Sequence, residues 1–129
     1  MPAFHDSTVS PAPPEAVWKA LYDPRRFPEW WVGIETVIDG RDGAYTAYPD
    51  GYPDFPMPQT LETRQDGRQA VISCLVSNLR FEWRLEPEGE RTRISVHVEI
   101  PEEEAQRLDD QRTVISHALE NLARHASAT

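Results

Sequence analysis

The sequence has 129 residues, of which 39% are hydrophobic and 27% are charged, so composition and length predict a globular protein with a single domain over residues 1–129. Its formal net charge of −9 argues against nucleic acid as a partner, because phosphate binding needs clustered positive charge. The single cysteine excludes a disulfide within the chain, and no stretch resembles a signal peptide or a membrane span, so a cytoplasmic protein is expected.

The N-terminal part of the sequence predicts a strand followed by a helix. Residues 4–9 have the pattern of a short strand, after which three prolines hold the chain extended. Pro14 suits the first position of a helix, where its missing N–H costs nothing. This helix ends before Pro24, because the residue that precedes a proline avoids the α region.

The stretch DPRRFPEWW, residues 23–31, combines three large aromatic rings and two prolines. Prolines at this density allow only a short turn of helix, which Asp23 can cap. Phe27, Trp30 and Trp31 follow one another at spacings of three and four residues, so they are predicted to share one face of that helix. Two interpretations remain open: the rings fill the core, or at least one tryptophan contacts a ligand.

The middle of the chain predicts antiparallel strands joined by turns. Apolar and charged residues alternate most clearly in the last two of these strands, which gives each one apolar face and one charged face. The predicted ranges are 32–39, 44–48, 58–65, 69–76, 79–86 and 94–100. The apolar face is predicted to consist of Phe81, Trp83, Leu85, Ile94, Val96 and Val98, and the solvent face to include Glu82, Arg84, Arg93 and His97.

Residues 102–126 predict one long helix, which Pro101 and three glutamates open. Its apolar residues recur at helical spacing and form a stripe of Leu108, Ile115, Leu119, Leu122 and Ala126. A long helix that covers the apolar face of an antiparallel sheet is an α+β layered architecture.

This order of elements, together with the stretches APPEAVW, LYDPRRFPEWW and WRLEP, resembles the START-like helix-grip (SRPBCC) superfamily and, within it, the polyketide cyclase/dehydrase-like branch. The resemblance covers residues 3–126. It implies a helix-grip fold: a curved antiparallel sheet of six to seven strands around the long C-terminal helix, with two short helices after the first strand. It also implies an apolar cavity between the sheet and that helix, whose occupant fold-level similarity does not define.

Residue patterns that carry catalysis or bind metal are scarce. Cys74 lies in an apolar stretch without a basic neighbour, as is typical of a buried, inert thiol. The four histidines lack metal-ligand spacing, and there is no glycine-rich phosphate loop. We therefore expect no metal and no cofactor, and the sequence assigns no catalytic residue.

The predicted ligand site lies between the sheet and the helix, because a curved sheet cannot follow a straight helix along its whole length. Its walls are predicted to come from Leu61, Phe81 and Trp83 on the sheet and from Ile115 and Leu119 on the helix. Its mouth is predicted to be set by Trp30 or Trp31 and by the proline-rich loop 48–58, with Tyr48, Tyr52 and Phe55. This loop either covers the edge of the sheet or forms a lid over the pocket. The polar groups available to orient a ligand are Tyr45, Tyr48 and Arg64.

Three functions remain open at this point. The first is an enzyme of the cyclase, dehydrase or lyase type that acts on an apolar, aromatic or polyketide-like substrate. The second is a non-catalytic carrier or sensor that binds a small hydrophobic ligand in the same cavity. The third is an interaction module with a solid core, which acts through its acidic surface or through the loop 48–58. Ligand binding ranks before catalysis, and a monomer or homodimer is expected.

Overall fold

The computed structural model describes residues 2–52, 54–64 and 68–127. Within these ranges, seven strands form one curved antiparallel sheet with the order β1-β7-β6-β5-β4-β3-β2. Strands β2 to β7 therefore follow one another as a meander, whereas β1 pairs with the last strand. The strands are β1 (Ala3–Ser10), β2 (Ile34–Asp39), β3 (Ala44–Pro49), β4 (Met57–Arg64), β5 (Gln69–Cys74), β6 (Arg80–Glu88) and β7 (Arg91–Glu99).

Four helical segments accompany the sheet in the described part of the chain. They are α1 (Pro14–Leu21), a first 3₁₀ helix (Pro24–Glu29), a second 3₁₀ helix (Glu102–Arg107) and α2 (Leu108–Ser127). Helix α2 packs against β1 and α1. This arrangement confirms the predicted helix-grip fold, with two short helices after the first strand and a long C-terminal helix. No helix among the described residues combines the length and the apolar character needed to cross a membrane.

The first 3₁₀ helix differs from the predicted helical turn in where it ends. Asp23 caps it as predicted, since its carboxylate accepts a hydrogen bond from the backbone N–H of Arg25 over 3.1 Å. Pro28 lies inside it and has no N–H to donate, so an α-helix cannot continue through this segment. The helix therefore ends at Glu29, and Trp30 and Trp31 lie beyond it rather than within it.

The predicted continuous helix over residues 102–126 is wrong at its beginning. Glu104 has φ −114° and ψ 17°, which is not helical and places a kink inside the second 3₁₀ helix, before α2 begins. Its carboxylate accepts a hydrogen bond from Nε of Arg107 over 2.6 Å, which closes this turn locally. The regular α-helix begins only at Leu108.

The two faces of the sheet differ as the alternation predicts. The predicted inner residues are all buried, namely Phe81, Trp83, Leu85, Ile94, Val96 and Val98. The outer face carries ion pairs, including those from Arg80 to Glu82 (3.2 Å) and to Glu99 (3.1 Å). Arg84 and His97 are exposed there. The prediction of one apolar face and one solvent face is therefore confirmed.

Aromatic side chains fill the interior between the sheet and the helices. We call this group the aromatic cluster; it consists of Phe27, Trp30, Trp31, Tyr45, Phe81 and Trp83. Neighbouring ring centroids lie 5.1 to 5.7 Å apart, within the range of favourable aromatic pairs. The indole N–H of Trp30 donates to the carbonyl oxygen of Ala20 over 3.0 Å, so this buried polar group is satisfied. Trp30 is 1% exposed and packs within this cluster.

Candidate functional site

Two adjoining cavities open near the beginning of α2, at the end of the sheet where β4 and β6 begin and β5 ends. The first has a volume of about 170 Å³ and lies between the sheet and the first turns of α2. The second has a volume of about 340 Å³, and Tyr52 and Phe55 are among its lining residues. The two cavities share four lining residues, and we call them together the end cleft; the shared residues are Met57, Cys74, Ser77 and Arg107.

The wall of the first cavity is aromatic and apolar. Trp31 and Phe81 both line it, and their rings meet nearly at right angles with centroids 5.1 Å apart. Both residues also belong to the aromatic cluster, so the wall is held in place by the packed core behind it. A flat apolar ligand can therefore meet a rigid surface here.

A buried pair of polar residues lies behind this wall. The hydroxyl of Tyr45 donates to Oε1 of Gln59 over 2.7 Å, and Gln59 lines the first cavity. Burial raises the pKa of Tyr45 well above its ordinary value, so the phenol keeps its proton. The amide oxygen of Gln59 accepts from this hydroxyl, and Nε2 is the donor group of the same side chain.

We expect Tyr45→Phe to lower the free energy of unfolding at pH 8 by about 1–3 kcal/mol, because Oε1 of Gln59 loses its donor. The raised pKa also sets a pH dependence. The folded state holds the phenol proton more tightly than the unfolded state, so the contribution of Tyr45 to stability is constant below about pH 10 and falls as the pH rises further. Urea unfolding at pH 8 and near pH 11 measures both effects. A wild type and a variant that lose equal stability at high pH would contradict this role of Tyr45.

One cation and one thiol also line the end cleft. Arg107 lines both cavities with a half-exposed side chain. Cys74 lines both as well and is buried. Among the described lining residues there is no histidine, aspartate or glutamate, so the thiol has no base beside it within that set. Across the described ranges, no group of three or more histidine, cysteine, aspartate or glutamate residues is placed to hold a metal ion.

The structure brings only some of the predicted site residues together. Trp31, Phe81, Tyr52 and Phe55 line the end cleft. Trp30 instead lines a neighbouring, more polar cavity of about 380 Å³, together with three acidic residues: Glu29, Glu35 and Asp50.

The other predicted wall and polar residues lie elsewhere. Trp83, Ile115 and Leu119 are fully buried in the core, because the aromatic cluster occupies the space in which a cavity was expected. Leu61 is half-buried on the inner face of β4, outside the residues that line the end cleft. Two further predicted residues lie on the opposite face of their strands. Arg64 is exposed on the outer face and pairs with Glu62 over 3.1 Å, and Tyr48 points away from the side of buried Ala47.

Several lining residues were not anticipated from the sequence, namely Met57, Gln59, Ser77, Arg107 and Gln111. The sequence contains a pattern that could have identified some of these residues. Arg107, Gln111 and Val114 follow one another at spacings of four and three residues. They form a second stripe beside the apolar one, and this stripe faces the first cavity.

Comparison with known proteins gives a family and a fold. Residues 1–127 match the family model described as "Polyketide cyclase / dehydrase and lipid transport". A comparison with curated proteins gave no match.

Three solved structures illustrate the fold. XoxI from Bacillus cereus is 16% identical, with a TM-score of 0.80 over 97% of this chain and 95% of that one. A START superfamily protein from Mycobacterium smegmatis is 12% identical, with a TM-score of 0.77 over 98% and 97%. DynU16, a protein from the dynemicin biosynthetic locus, is 20% identical with a TM-score of 0.65, and the match covers 97% of this chain but 47% of that one. At these identities the likeness shows the fold alone. Because the family model matches almost the entire length, the chain belongs to the polyketide cyclase/dehydrase and lipid transport family.

Proposed function

We propose that the protein binds a small hydrophobic molecule, with an aromatic or polyketide-like body, in the end cleft. The observation that carries this proposal is the rigid aromatic wall of Trp31 and Phe81 beside an open cavity. The family description, which names polyketide cyclases and lipid transport, supports the same ligand class. Tyr52 and Phe55, which are 66% and 57% exposed, supply further apolar surface over the second cavity.

Binding is better supported than catalysis. A cyclase or dehydrase needs groups that move protons, which in proteins are most often histidine or a carboxylate. The described residues that line the end cleft include neither. Tyr45 keeps its proton and directs it to Gln59, so it serves to position that side chain rather than to donate to a ligand.

The second candidate function is an interaction module with a solid core. The observation that favours it is the aromatic cluster, which fills the middle of the layer between the sheet and α2. In that case the exposed rings of Tyr52 and Phe55 would contact a protein partner rather than a small molecule. Ligand binding by the isolated protein separates the two candidates.

The test is a titration with N-phenylnaphthylamine, an uncharged probe whose fluorescence rises in an apolar site. We expect binding by the wild type and about tenfold weaker binding by Phe55→Ala, which removes roughly 55 Å² of contact at about 25 cal/mol per Å². Phe81→Ala is expected to weaken binding at least as much. Phe55 is exposed, so its replacement leaves the fold intact.

The matched control is Tyr48→Phe, which changes an aromatic residue outside the end cleft and should leave probe binding unchanged. Circular dichroism checks that each variant is folded. Native mass spectrometry of freshly purified protein would show whether a ligand accompanies it. If folded wild type did not bind the probe, or if both replacements left binding unchanged, the interaction module would be the better description.

A further inference from the structure

We propose that the natural ligand of the end cleft carries an anionic oxygen head group, such as a carboxylate, and that Arg107 holds this group while the apolar body lies against Trp31 and Phe81. This inference rests on the proposed function, because it concerns the same cleft. It adds the charge of the ligand and the residue that recognises it.

The first support is the contrast between the charge of the cleft and the charge of the whole chain. The sequence has 22 acidic and 13 basic residues. The described residues that line the end cleft include the cation Arg107 and no carboxylate. Glu104, the partner of Arg107, lies outside this lining. A lining whose charged group is a cation favours an anionic ligand over a cationic one.

The second support is the way in which Arg107 is held. Its Nε donates to the Glu104 carboxylate over 2.6 Å, which leaves the terminal guanidinium nitrogens available. The arginine side of this ion pair is half-exposed, so solvent weakens the pair and a second anion can still reach the guanidinium. A guanidinium presents paired N–H groups that match the two oxygens of a carboxylate.

The third support is the hydrogen-bonding character of the other polar groups. Gln59 lines the first cavity, and its Nε2 can donate to a ligand while its amide oxygen accepts from Tyr45. Gln111, one helical turn after Arg107, lines the same cavity and can also donate. The cleft therefore offers donors at its polar positions, which complement a ligand rich in acceptor oxygens.

The experiment compares naphthoate with naphthamide, substituted at the same ring position, as competitors of N-phenylnaphthylamine at neutral pH. The two competitors have nearly the same shape and differ in charge. We expect naphthoate to displace the probe at about tenfold lower concentration, because a charge-assisted hydrogen bond is stronger than a neutral one. Arg107→Gln should reduce this preference to less than about twofold while probe binding itself persists.

Arg84→Gln is the matched control, since it removes the same charge from the outer face of the sheet and should keep the preference. Equal displacement by the two competitors in the wild type would overturn the anionic head group and leave the proposed function standing. A preference that survives in Arg107→Gln would overturn the assignment to Arg107. A folded wild type that fails to bind the probe would overturn the proposed function itself.

Discussion

Trp83→Arg is expected to prevent folding, whereas Arg84→Trp, one position further along β6, is expected to leave the fold intact. Trp83 is fully buried and meets the rings of Trp30 and Trp31 at centroid distances of 5.3 and 5.4 Å. A guanidinium in this place has no carboxylate beside it in the cluster, and burying an unpaired charge costs several kcal/mol. Such a cost, added to the lost packing, approaches the total stability of about 5–15 kcal/mol that a domain has.

The yield of folded protein and the far-ultraviolet circular dichroism of both variants measure this contrast. Arg84 points to solvent from the outer face, so a tryptophan there meets water rather than a packed neighbour. Trp83→Phe provides an intermediate variant that should fold, because it keeps an apolar ring at this position. It removes an indole N–H that has no acceptor among the described residues. If Trp83→Arg and Arg84→Trp were equally mild, the assignment of the two sheet faces would be wrong.

Trp30→Ala is expected to lower the free energy of unfolding by about 3–5 kcal/mol, as truncation of a large buried aromatic residue does. Trp30 contacts three other rings of the aromatic cluster: Phe27, Trp31 and Trp83. Its indole N–H also joins the cluster to the end of α1 through the carbonyl oxygen of Ala20. The side chain of Asn121 in α2 donates to the backbone oxygen of Trp30 over 3.2 Å, so this position connects three elements.

Urea unfolding followed by circular dichroism gives the free energies for this comparison. Trp18→Ala is the control, because Trp18 is a half-buried tryptophan of α1 that stacks only loosely on Tyr22, at 6.1 Å, and should cost about 1–2 kcal/mol. Trp30→Phe keeps a ring and removes the hydrogen bond to Ala20, so it should fall between the two. Equal losses for Trp30→Ala and Trp18→Ala would contradict the central place of the aromatic cluster.

Local sequence rules were sufficient for most of the fold. Period-two alternation defines which face of β6 and β7 is buried, and prolines define where the first helices begin and end. The break at Glu104 was missed because the residues on both sides of it favour a helix. The departure lies in one pair of backbone angles, which residue type alone does not specify.

The candidate site was only partly predictable, for a reason of volume. Phe81 and Trp83 have the same alternation and both face inward, yet Phe81 lines the end cleft and Trp83 lies in the packed core. Periodicity identifies inward-facing residues, but the size and tilt of neighbouring rings decide where space remains. Arg107 was missed because a charged residue near the start of a helix is usually solvated, and the sequence alone does not show that a cavity lies beside it.

The pairing of β1 with β7 also determines the order in which this chain can fold during its synthesis. Strands β2 to β7 form a meander, so each can pair with its predecessor as soon as both have been made. Strand β1 is made before them, but residue 3 pairs with residue 99. The N-terminal strand therefore waits without its partner strand until residues 91–99 have been translated. Addition of β1 to the sheet is therefore a late event, because its pairing closes a loop of nearly one hundred residues.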